Sequence, residues 1–307
     1  MKTMKRTFNY TITSEYNGKT VERYLKDVHS YSSKLIRTIR KTSDGILKNN
    51  ERAYTIHKLS SGDILTINID EPPSETIEPV RLDLDIVYED EDIMIIDKPP
   101  GMPSQPSADN RTNSVANAVI YYFLNKGVGM AYHAVNRLDK DTSGLMAIAK
   151  NPYVHAVLAD KLHTNDFFRK YICLVHGVAE NSGTVDMPIG RKEGSAIERT
   201  VAENGQRAVT HYRKIGEYGD FSLLEIVLET GRTHQIRVHM SYIGHPLVGD
   251  FLYGEEERDF APRQMLHSAY MSFTHPVSGE KAEFISSIPA DMEKIINELK
   301  TQHWRKP

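Results

Sequence analysis

The 307-residue sequence contains a single cysteine, Cys173, which excludes an internal disulfide and suits a reducing, cytoplasmic compartment. Cys173 lies in the apolar stretch YICLVHG, which predicts a buried structural thiol. No run approaches the roughly 20 apolar residues of a membrane span. The basic residues of the N-terminus precede no apolar segment. We therefore expect no signal peptide and no membrane partner.

The common motifs of cofactor and metal chemistry are missing as well. There is no Gly-x-x-x-x-Gly-Lys-Ser/Thr loop, no Gly-x-Gly-x-x-Gly after a strand, and no Gly-x-Ser-x-Gly elbow. His234 and His239 are five residues apart, which on a helix places them on different faces. One cysteine cannot supply paired ligands. The sequence therefore predicts neither a cofactor nor a metal.

The formal net charge of −3 conceals an uneven distribution. Residues 1–60 hold 13 Lys+Arg against 5 Asp+Glu, whereas residues 61–100 hold 2 against 12. Local fields, and not the average, steer a charged partner. A basic N-terminal region beside an acidic junction is therefore compatible with a nucleic-acid partner.

Composition and patterning divide the chain into a small basic domain, residues 1–72, a linker, 73–80, and a larger domain, 81–300. The junction, DEPPSETIEPV, has three prolines and four carboxylates in eleven residues. In the small domain, VERYLKDV and SSKLIRTIRKT predict helices, the second capped by Ser32 or Ser33, and SGDILTINI predicts a strand. We expect a small α/β domain.

Four basic residues of the second predicted helix have the spacing of a single helix side. They are Lys34, Arg37, Arg40 and Lys41, at i, i+3, i+6 and i+7. A solvated helix face is the ordinary interpretation of such spacing. In a region of this charge, however, the four residues predict contact with RNA phosphates, with no reading of bases.

The larger domain mixes strands and helices without the regular alternation of a doubly wound sheet. LDIVYED, DIMIIDKPP, GLMAIAK, RKYICLVHG and EKAEFISSI predict strands, as does most of residues 207–231. SVANAVIYYFLNKG, NPYVHAVLADKLHTND and RTHQIRVHMSYIG predict helices. We expect an α+β fold with a mixed or antiparallel central sheet.

Three segments of the larger domain are chemically distinctive. They are NRLDKDTSG, with Asp139 and Asp141; FFRKYICLVHG, with Tyr171; and ETGRTHQIRVHMSYIGHPLVGDFLYG, rich in arginine and histidine. Each has an ordinary structural interpretation taken singly: a polar turn, a half-buried strand tyrosine and a solvated helix face.

In this order and spacing, the three segments resemble the RluA/RluD-type pseudouridine synthases, which isomerise uridine to pseudouridine in structured RNA. The resemblance covers roughly residues 80–290 and also includes YEDEDIMIIDKPPGMPSQPS and LHSAYMSFTHPVSGE. The Arg-Leu-Asp-x-x-Thr-Ser-Gly signature is intact at residues 137–144. Asn136 departs from the family, which usually has histidine before that arginine.

The resemblance implies a pseudouridine synthase fold with an RNA-binding cleft and assigns roles to individual residues. Asp139 matches the catalytic aspartate, Tyr171 the tyrosine against the target base, and Arg237 the arginine that pairs with the carboxylate. Arg232 is a close rival of Arg237. The predicted substrate-binding residues are Arg137, Arg232, His234, Gln235 and Leu266, the last an apolar residue of the same pocket. Asp141 is expected to be a turn residue.

The basic N-terminal domain resembles the RNA-binding domain named for ribosomal protein S4. VERYLKDV, SSKLIRTIRKTSDGILKNN and SGDILTI stand at the expected places. Two features depart from that pattern. The usual Arg-Leu-Asp is Glu-Arg-Tyr here, and DGILKNN replaces a glycine-valine strand.

The sequence therefore predicts a monomeric, cofactor-free RNA pseudouridine synthase acting on large-subunit rRNA. The alternatives are a tRNA-directed synthase, a non-catalytic RNA-binding or ribosome-associated protein, and a hydrolase that uses Asp139 with Asp141. The last is disfavoured, because residues two apart rarely supply two opposed carboxylates.

Overall fold

The structure, a computed structural model, describes residues 2–108, 110–162, 164, 166–255 and 257–301. Its helices are α1 (Val21–His29), α2 (Ser33–Ile39), α3 (Val115–Asn125), α4 (Pro152–Lys161), α5 (Gln235–Tyr242) and α6 (Ala290–Thr301). Its strands, in chain order, are β1 (Lys2–Thr11), β2 (Ile46–Lys48), β3 (Glu51–Arg52), β4 (Ile64–Glu71), β5 (Asp85–Glu89), β6 (Ile93–Lys98), β7 (Val128–Gly129), β8 (His133–Ala134), β9 (Ser143–Ala149), β10 (Phe167–His176), β11 (Ser182–Asp186), β12 (Ile189–Arg191), β13 (Arg199–Val201), β14 (Val209–Tyr218), β15 (Phe221–Leu228), β16 (Leu266–Thr274) and β17 (Lys281–Ile285). Within these ranges no helix is long and apolar enough to cross a membrane.

The two predicted N-terminal helices and the predicted strand, β4, are present, and α2 packs against β4. Helix α1 follows Thr20, whose hydroxyl accepts the Arg23 amide at 3.3 Å. Helix α2 follows Ser32, whose hydroxyl accepts the Leu35 amide at 3.2 Å, so Ser32 is the cap. Such caps satisfy amide donors that a helix leaves free at its start.

The prediction that four basic residues share one side of a helix is wrong in its second half. Helix α2 ends at Ile39, so Arg40 is its C-cap and Lys41 lies in the following turn. The Thr42 hydroxyl donates to the Ile39 carbonyl at 2.9 Å, and the Lys41 amide donates to the Thr38 carbonyl, three residues earlier, at 3.1 Å. These contacts replace the next helical bond and turn the chain. Lys34, Arg37, Arg40 and Lys41 nevertheless all remain exposed.

The N-terminal region forms a five-stranded sheet that includes a strand of the larger domain. The strand order is β3-β2-β4-β1-β7, and β1 pairs in parallel with β7 through Lys2 and Thr3. The hydrophobic core is also shared. Phe8 and Tyr31 of the N-terminal region pack on Tyr153 of α4, with ring centroids 5.1 and 4.4 Å apart. The segment predicted as a linker bonds to α3 as well, through the Val80 amide and the Asn117 carbonyl.

A buried ion pair strengthens this junction. Arg6 Nε and Nη2 donate to the two carboxylate oxygens of Asp92 at 2.9 and 2.8 Å, and the Asp92 side chain is 4% exposed. The predicted boundaries at residues 72 and 80 stay a prediction. The contacts show that the N-terminal region and the larger domain are packed against each other.

The second sheet has ten strands and is mixed, in agreement with the predicted α+β class. Its order is β11-β14-β15-β10-β16-β9-β6-β5, with β17 beside β16 and β8 beside β9. All of its strand pairs are antiparallel except β9 with β16. Helix α3 covers one face of β6 and β9, and the shared N-terminal core covers the other. Burial on both faces explains why these two strands are continuously apolar.

The sequence patterning missed several elements, among them β1, β16 and α6. Helix α6 had a usable signal, since Met292, Ile295, Ile296 and Leu299 have helical spacing and all are buried. Strand β16 had none, because its sequence LHSAYMSFT alternates polar and apolar residues irregularly. Its place is set by its neighbours β10 and β9.

We predict that Arg6→Ala lowers the free energy of unfolding by about 2–3 kcal/mol, because it leaves the buried Asp92 carboxylate without its cation. Urea denaturation would measure the change. The control is Arg23→Ala, which breaks the exposed Arg23–Asp27 pair and is expected to cost less than about 1 kcal/mol. Equal effects of the two substitutions would contradict a structural role for the Arg6–Asp92 pair.

Candidate active site

The loop of residues 136–142 lies between β8 and β9 and is fixed to its surroundings by hydrogen bonds. The Leu138 amide donates to Ser104 Oγ at 3.0 Å, and Ser104 Oγ donates back to the Leu138 carbonyl at 2.7 Å. Asn136 is buried, and its Oδ1 accepts the Ala147 amide of β9 at 2.8 Å. The residue that departs from the family pattern therefore has a structural role, holding the loop to the strand that follows it.

A buried lysine, Lys98, binds the backbone of the same loop. Its Nζ donates to the carbonyls of Pro99, Met102 and Lys140 at 2.8, 2.9 and 3.0 Å. These three bonds use all the donors of an ammonium group. Burial lowers the pKa of Lys98 to about 7, and the nearby carboxylate of Asp141 opposes that shift. Lys98 thus joins the loop after β6 to the loop that carries Asp139.

Arg263 is a second buried cation that binds this loop by its backbone. Its Nη1 donates to the Asp141 carbonyl at 3.0 Å, and its Nε pairs with Asp291 of α6 at 2.6 Å. The sequence offered no signal for this residue, which lies outside the matched motifs. Its contacts connect the C-terminal helix to the candidate catalytic loop.

The Thr-Ser-Gly end of the motif is explained by the parallel contact between β9 and β16. Ser143 pairs with His267 and Gly144 with Ser268. Gly144 has φ of +109°, and a Cβ there would overlap the Ser268 backbone. Only glycine permits so close an approach at that backbone angle. Ser143 Oγ and His267 Nδ1 lie 3.0 Å apart beneath it.

One cavity of about 630 Å³ brings together all eight residues predicted for catalysis and substrate binding. Strands β10 and β16 supply its apolar wall, with Tyr171 and Leu266, both nearly fully buried. The loop before α5 and that helix supply its charged wall. The predicted residues that line the cavity are Arg137, Asp139, Tyr171, Arg232, His234, Gln235, Arg237 and Leu266.

Asp139 is the carboxylate that faces this cavity, and Arg237 stands behind it. Arg237 Nη1 lies 3.4 Å from Asp139 Oδ2, while its Nε and Nη2 pair with the two oxygens of Asp250 at 2.6 and 2.7 Å. The Asp139 side chain is 28% exposed and the Asp250 side chain 0%. Burial opposes the charge of Arg237, but the bonds to Asp250 prevail, and the pKa of Arg237 lies above its ordinary value.

This arrangement distinguishes Arg237 from its rival, Arg232. Arg237 is within 4 Å of Asp139, whereas Arg232 Nε donates to the Arg207 carbonyl at 3.0 Å, at the edge of the cavity. The sequence did not assign Asp250 as the partner of Arg237. It was visible only as one acidic residue in the motif HPLVGDFLYG.

His234 also borders the Asp139 carboxylate, in an unusual backbone conformation. It precedes α5 with φ of +57°, a left-handed angle that costs energy for any residue with a Cβ. Its Nε2 lies 3.9 Å from Asp139 Oδ2, and its Nδ1 lies 2.8 Å from the Tyr253 hydroxyl. Burial lowers the pKa of His234. We assign a neutral ring whose Nδ1 accepts a hydrogen bond from the Tyr253 hydroxyl. In this tautomer the proton of the ring is on Nε2, toward Asp139.

Gln235 lines the cavity, but its amide is occupied by the protein. Its Oε1 accepts from the Thr230 hydroxyl and the Arg232 amide at 2.8 and 3.0 Å. Its Nε2 donates to the carbonyl of Val209 and the hydroxyl of Thr210 at 2.9 and 3.0 Å. An amide side chain can accept two bonds and donate two. These contacts therefore hold the loop that carries Arg232 and His234.

The fold is found in solved structures with low sequence identity. The structure of human RNA Pseudouridylate Synthase Domain Containing 4 matches with a TM-score of 0.58 and 21% identity, over 70% of this chain and 93% of that one. Human RNA Pseudouridylate Synthase Domain Containing 1 matches with a TM-score of 0.53 and 24% identity, over 76% and 98%. The fold is that of the pseudouridine synthases.

Sequence comparisons lead to the family. The model for RNA pseudouridylate synthase matches residues 92–242. The chain is 42% identical over 279 residues to the RNA pseudouridine synthase YjbO of Bacillus subtilis, covering 90% of this chain and 98% of that protein. It is 37% identical over 306 residues to ribosomal large subunit pseudouridine synthase D of Zymomonas mobilis, covering 94% and 96%. The chain belongs to the RNA pseudouridine synthases, which are isomerases.

We predict that Asp250→Asn lowers the free energy of unfolding by about 3–5 kcal/mol, because it removes the charge partner of a buried arginine. The rate of pseudouridine formation should fall too, since Arg237 is no longer oriented toward Asp139. Urea denaturation and a single-turnover assay would measure both. The control is Asp27→Asn, which removes an exposed carboxylate paired with Arg23. Wild-type stability of Asp250→Asn would show that the pair is not needed.

Proposed function

We propose that this enzyme isomerises uridines of large-subunit ribosomal RNA and that Asp139 is its catalytic carboxylate. The observation that supports the catalytic assignment best is the position of Asp139, which lines the same cavity as Tyr171 and has Arg237 and His234 within 4 Å of its Oδ2. The proposal for the RNA rests on relatives named as ribosomal large subunit pseudouridine synthases, 33–38% identical to this chain.

The chemistry requires one carboxylate and no redox step. The bond from the ribose to uracil N1 breaks with its electron pair left on the base, the base rotates, and carbon 5 bonds to the ribose in place of N1. Carbon 5 then releases its proton and N1 takes one up, so that the product is an isomer of the substrate. One carboxylate serves equally as a nucleophile or as the base that removes a sugar proton. Because the reaction is an isomerisation with no net oxidation, we propose that it proceeds without a cofactor. The eight predicted residues line one cavity of a single chain, so the proposed chemistry needs no residue from a second copy, and we propose a monomer.

The cavity fits a base that has left its stack. A uridine within folded RNA must be turned out to reach Asp139, at a cost of a few kcal/mol. Stacking on the ring of Tyr171 would return about 1–3 kcal/mol. Leu266 and Leu138 pack in the same cluster as Tyr171 and make the wall beside it apolar. An apolar wall strengthens the field of Arg237 at the reacting atoms.

The alternative of a two-carboxylate hydrolase loses its geometric basis. The described lining of the cavity includes Asp139, Lys140 and Thr142 but not Asp141. The structure instead uses the Asp141 carbonyl to bind Arg263. We propose that Asp141 shapes the loop.

We predict that Asp139→Asn reduces pseudouridine formation by at least about 10²-fold, because the amide can act neither as nucleophile nor as base. RNA binding should persist. Asp141→Asn is the matched control, two residues away and outside the cavity lining, and we expect it to retain most of the activity. Pseudouridine formation by Asp139→Asn at the wild-type rate would refute the assignment.

We further propose that the N-terminal region is an S4-like RNA-binding domain. The exposed Lys34, Arg37, Arg40 and Lys41 form no ion pair within the described part of the chain, and they lie on α2 or directly after it. Unpaired exposed cations of this kind are suited to phosphate contacts. The domain would raise affinity and orient the RNA without selecting the uridine.

We predict that replacing these four residues by glutamine weakens RNA binding and flattens its salt dependence by roughly 0.7–0.9 for each phosphate that is no longer bound. Substitution is a sharper test than deletion of residues 1–72, which would expose the shared core around Phe8 and Tyr153. The control is the double substitution Arg23→Gln and Lys26→Gln, since these cations already pair with Asp27 and Glu22 on α1. An unchanged salt dependence of RNA binding in the fourfold variant would refute the proposed role of these residues in phosphate contact.

One experiment distinguishes the possible target RNAs. Pseudouridines mapped in total RNA from cells with and without the gene should differ at positions of large-subunit rRNA. Loss at tRNA positions alone would replace the proposed substrate with tRNA.

We propose a cytoplasmic location, since ribosomal RNA is the proposed substrate and the one cysteine is a buried, reduced thiol.

A further inference from the structure

A second cavity, of about 430 Å³, adjoins the active-site cavity and has a different chemistry. The hairpin of β12 and β13 forms one side of it, and the loop before α5 forms another. The two cavities share five lining residues, which are Arg137, Arg199, Gly231, Arg232 and Thr233. A bound RNA strand that extends from the active-site cavity in this direction therefore enters the second cavity directly.

The second cavity is strongly cationic. Arg137, Arg191, Arg199 and Arg232 line it, and no carboxylate among the described residues does so. Arg137 and Arg191 are exposed and form no ion pair in the ranges that the structure describes. Positive charges that no neighbouring carboxylate neutralises concentrate their field in a concave surface.

Two of these arginines are held in place by backbone carbonyls. Arg199 Nη1 donates to the carbonyls of Ile197 and Glu198 at 3.2 and 3.0 Å, and Arg232 Nε donates to that of Arg207 at 3.0 Å. Each bond uses only part of the five donors of a guanidinium. The side chains are thus oriented before a ligand arrives, which reduces the entropy that binding costs.

The floor of the cavity is rigid. The amides and carbonyls of Ile189 and Gln206 bond to each other at 2.9 Å in both directions. Gly205 packs so closely on Ile189 that a Cβ there would overlap its carbonyl. Asn204 and Gln206 line the cavity as well and add uncharged amide donors.

We propose that this second cavity binds the phosphodiester backbone of the RNA beside the uridine that occupies the active site. The inference deepens the proposed function and rests on RNA being the substrate. Guanidinium groups match the paired oxygens of a phosphate, and four of them suit consecutive phosphates better than a single small anion. Arg137 and Arg232, both among the predicted substrate-binding residues, would contact these phosphates together with Arg191 and Arg199.

The test compares Arg191→Gln with Lys192→Gln in the full-length protein. Both substitutions remove one positive charge from neighbouring positions of the same hairpin. Lys192 is outside the cavity lining and already pairs with Glu198. The probes are an in vitro transcript of large-subunit rRNA and, separately, an unmodified tRNA transcript. Dissociation constants are measured over a range of salt concentrations, and pseudouridine formation is measured in parallel.

Arg191→Gln is expected to weaken binding of either transcript roughly two- to fivefold. It should also reduce the slope of log Kd against log salt by about 0.7. Lys192→Gln should leave binding, slope and activity as in the wild type. A wild-type slope for Arg191→Gln, or the same reduction in both variants, would overturn the inference.

Failure of the proposed function would look different. Wild-type protein that binds the transcripts and forms no pseudouridine would refute that function, while the slopes of the two variants would still test the phosphate site.

Discussion

The parallel contact between β9 and β16 at Gly144 is the constraint on which the site depends. It joins strands 124 residues apart in the chain, as the pairing of Ser143 with His267 shows, and it starts β9 immediately after the loop that carries Asp139. The same contact places Leu266, at the start of β16, in the wall of the cavity. A side chain at position 144 would separate the two backbones. The glycine of the motif is thus required by close packing, and the chemistry depends on it indirectly.

Buried cations then immobilise the loop through its backbone. Lys98 and Arg263 bind carbonyls of Lys140 and Asp141, and both are buried. A buried cation is costly unless its donors are satisfied, and here the carbonyls of the loop satisfy them. Movement of the loop would therefore take one hydrogen-bond acceptor from each of these buried side chains. Asp139 precedes the two carbonyls, with its carboxylate directed into the cavity and Arg237 on its inner side.

The proposed recognition of RNA is divided among surfaces of different character. The active-site cavity has an apolar wall that suits a base, and the adjoining arginine cavity suits phosphates. The exposed cations on and directly after α2 form the proposed third surface, on a region held to the larger domain by the Arg6–Asp92 pair and a shared core. Because this region is packed against the rest, its charges have a defined position relative to the active site.

The sequence by itself determined the α+β class and most of the helices, because apolar periodicity is a local property. The family and the eight predicted residues of the cavity came from the resemblance of its motifs to those of known synthases. It did not place β1 or β16, whose positions depend on strands remote in the chain. The motif match favoured Arg237 over its rival Arg232, but which guanidinium lies beside Asp139 depends on the tertiary structure. The roles of Asp250, Arg263 and Lys98 emerged only from the tertiary structure, because the role of a buried charged group depends on the partner that packing places beside it.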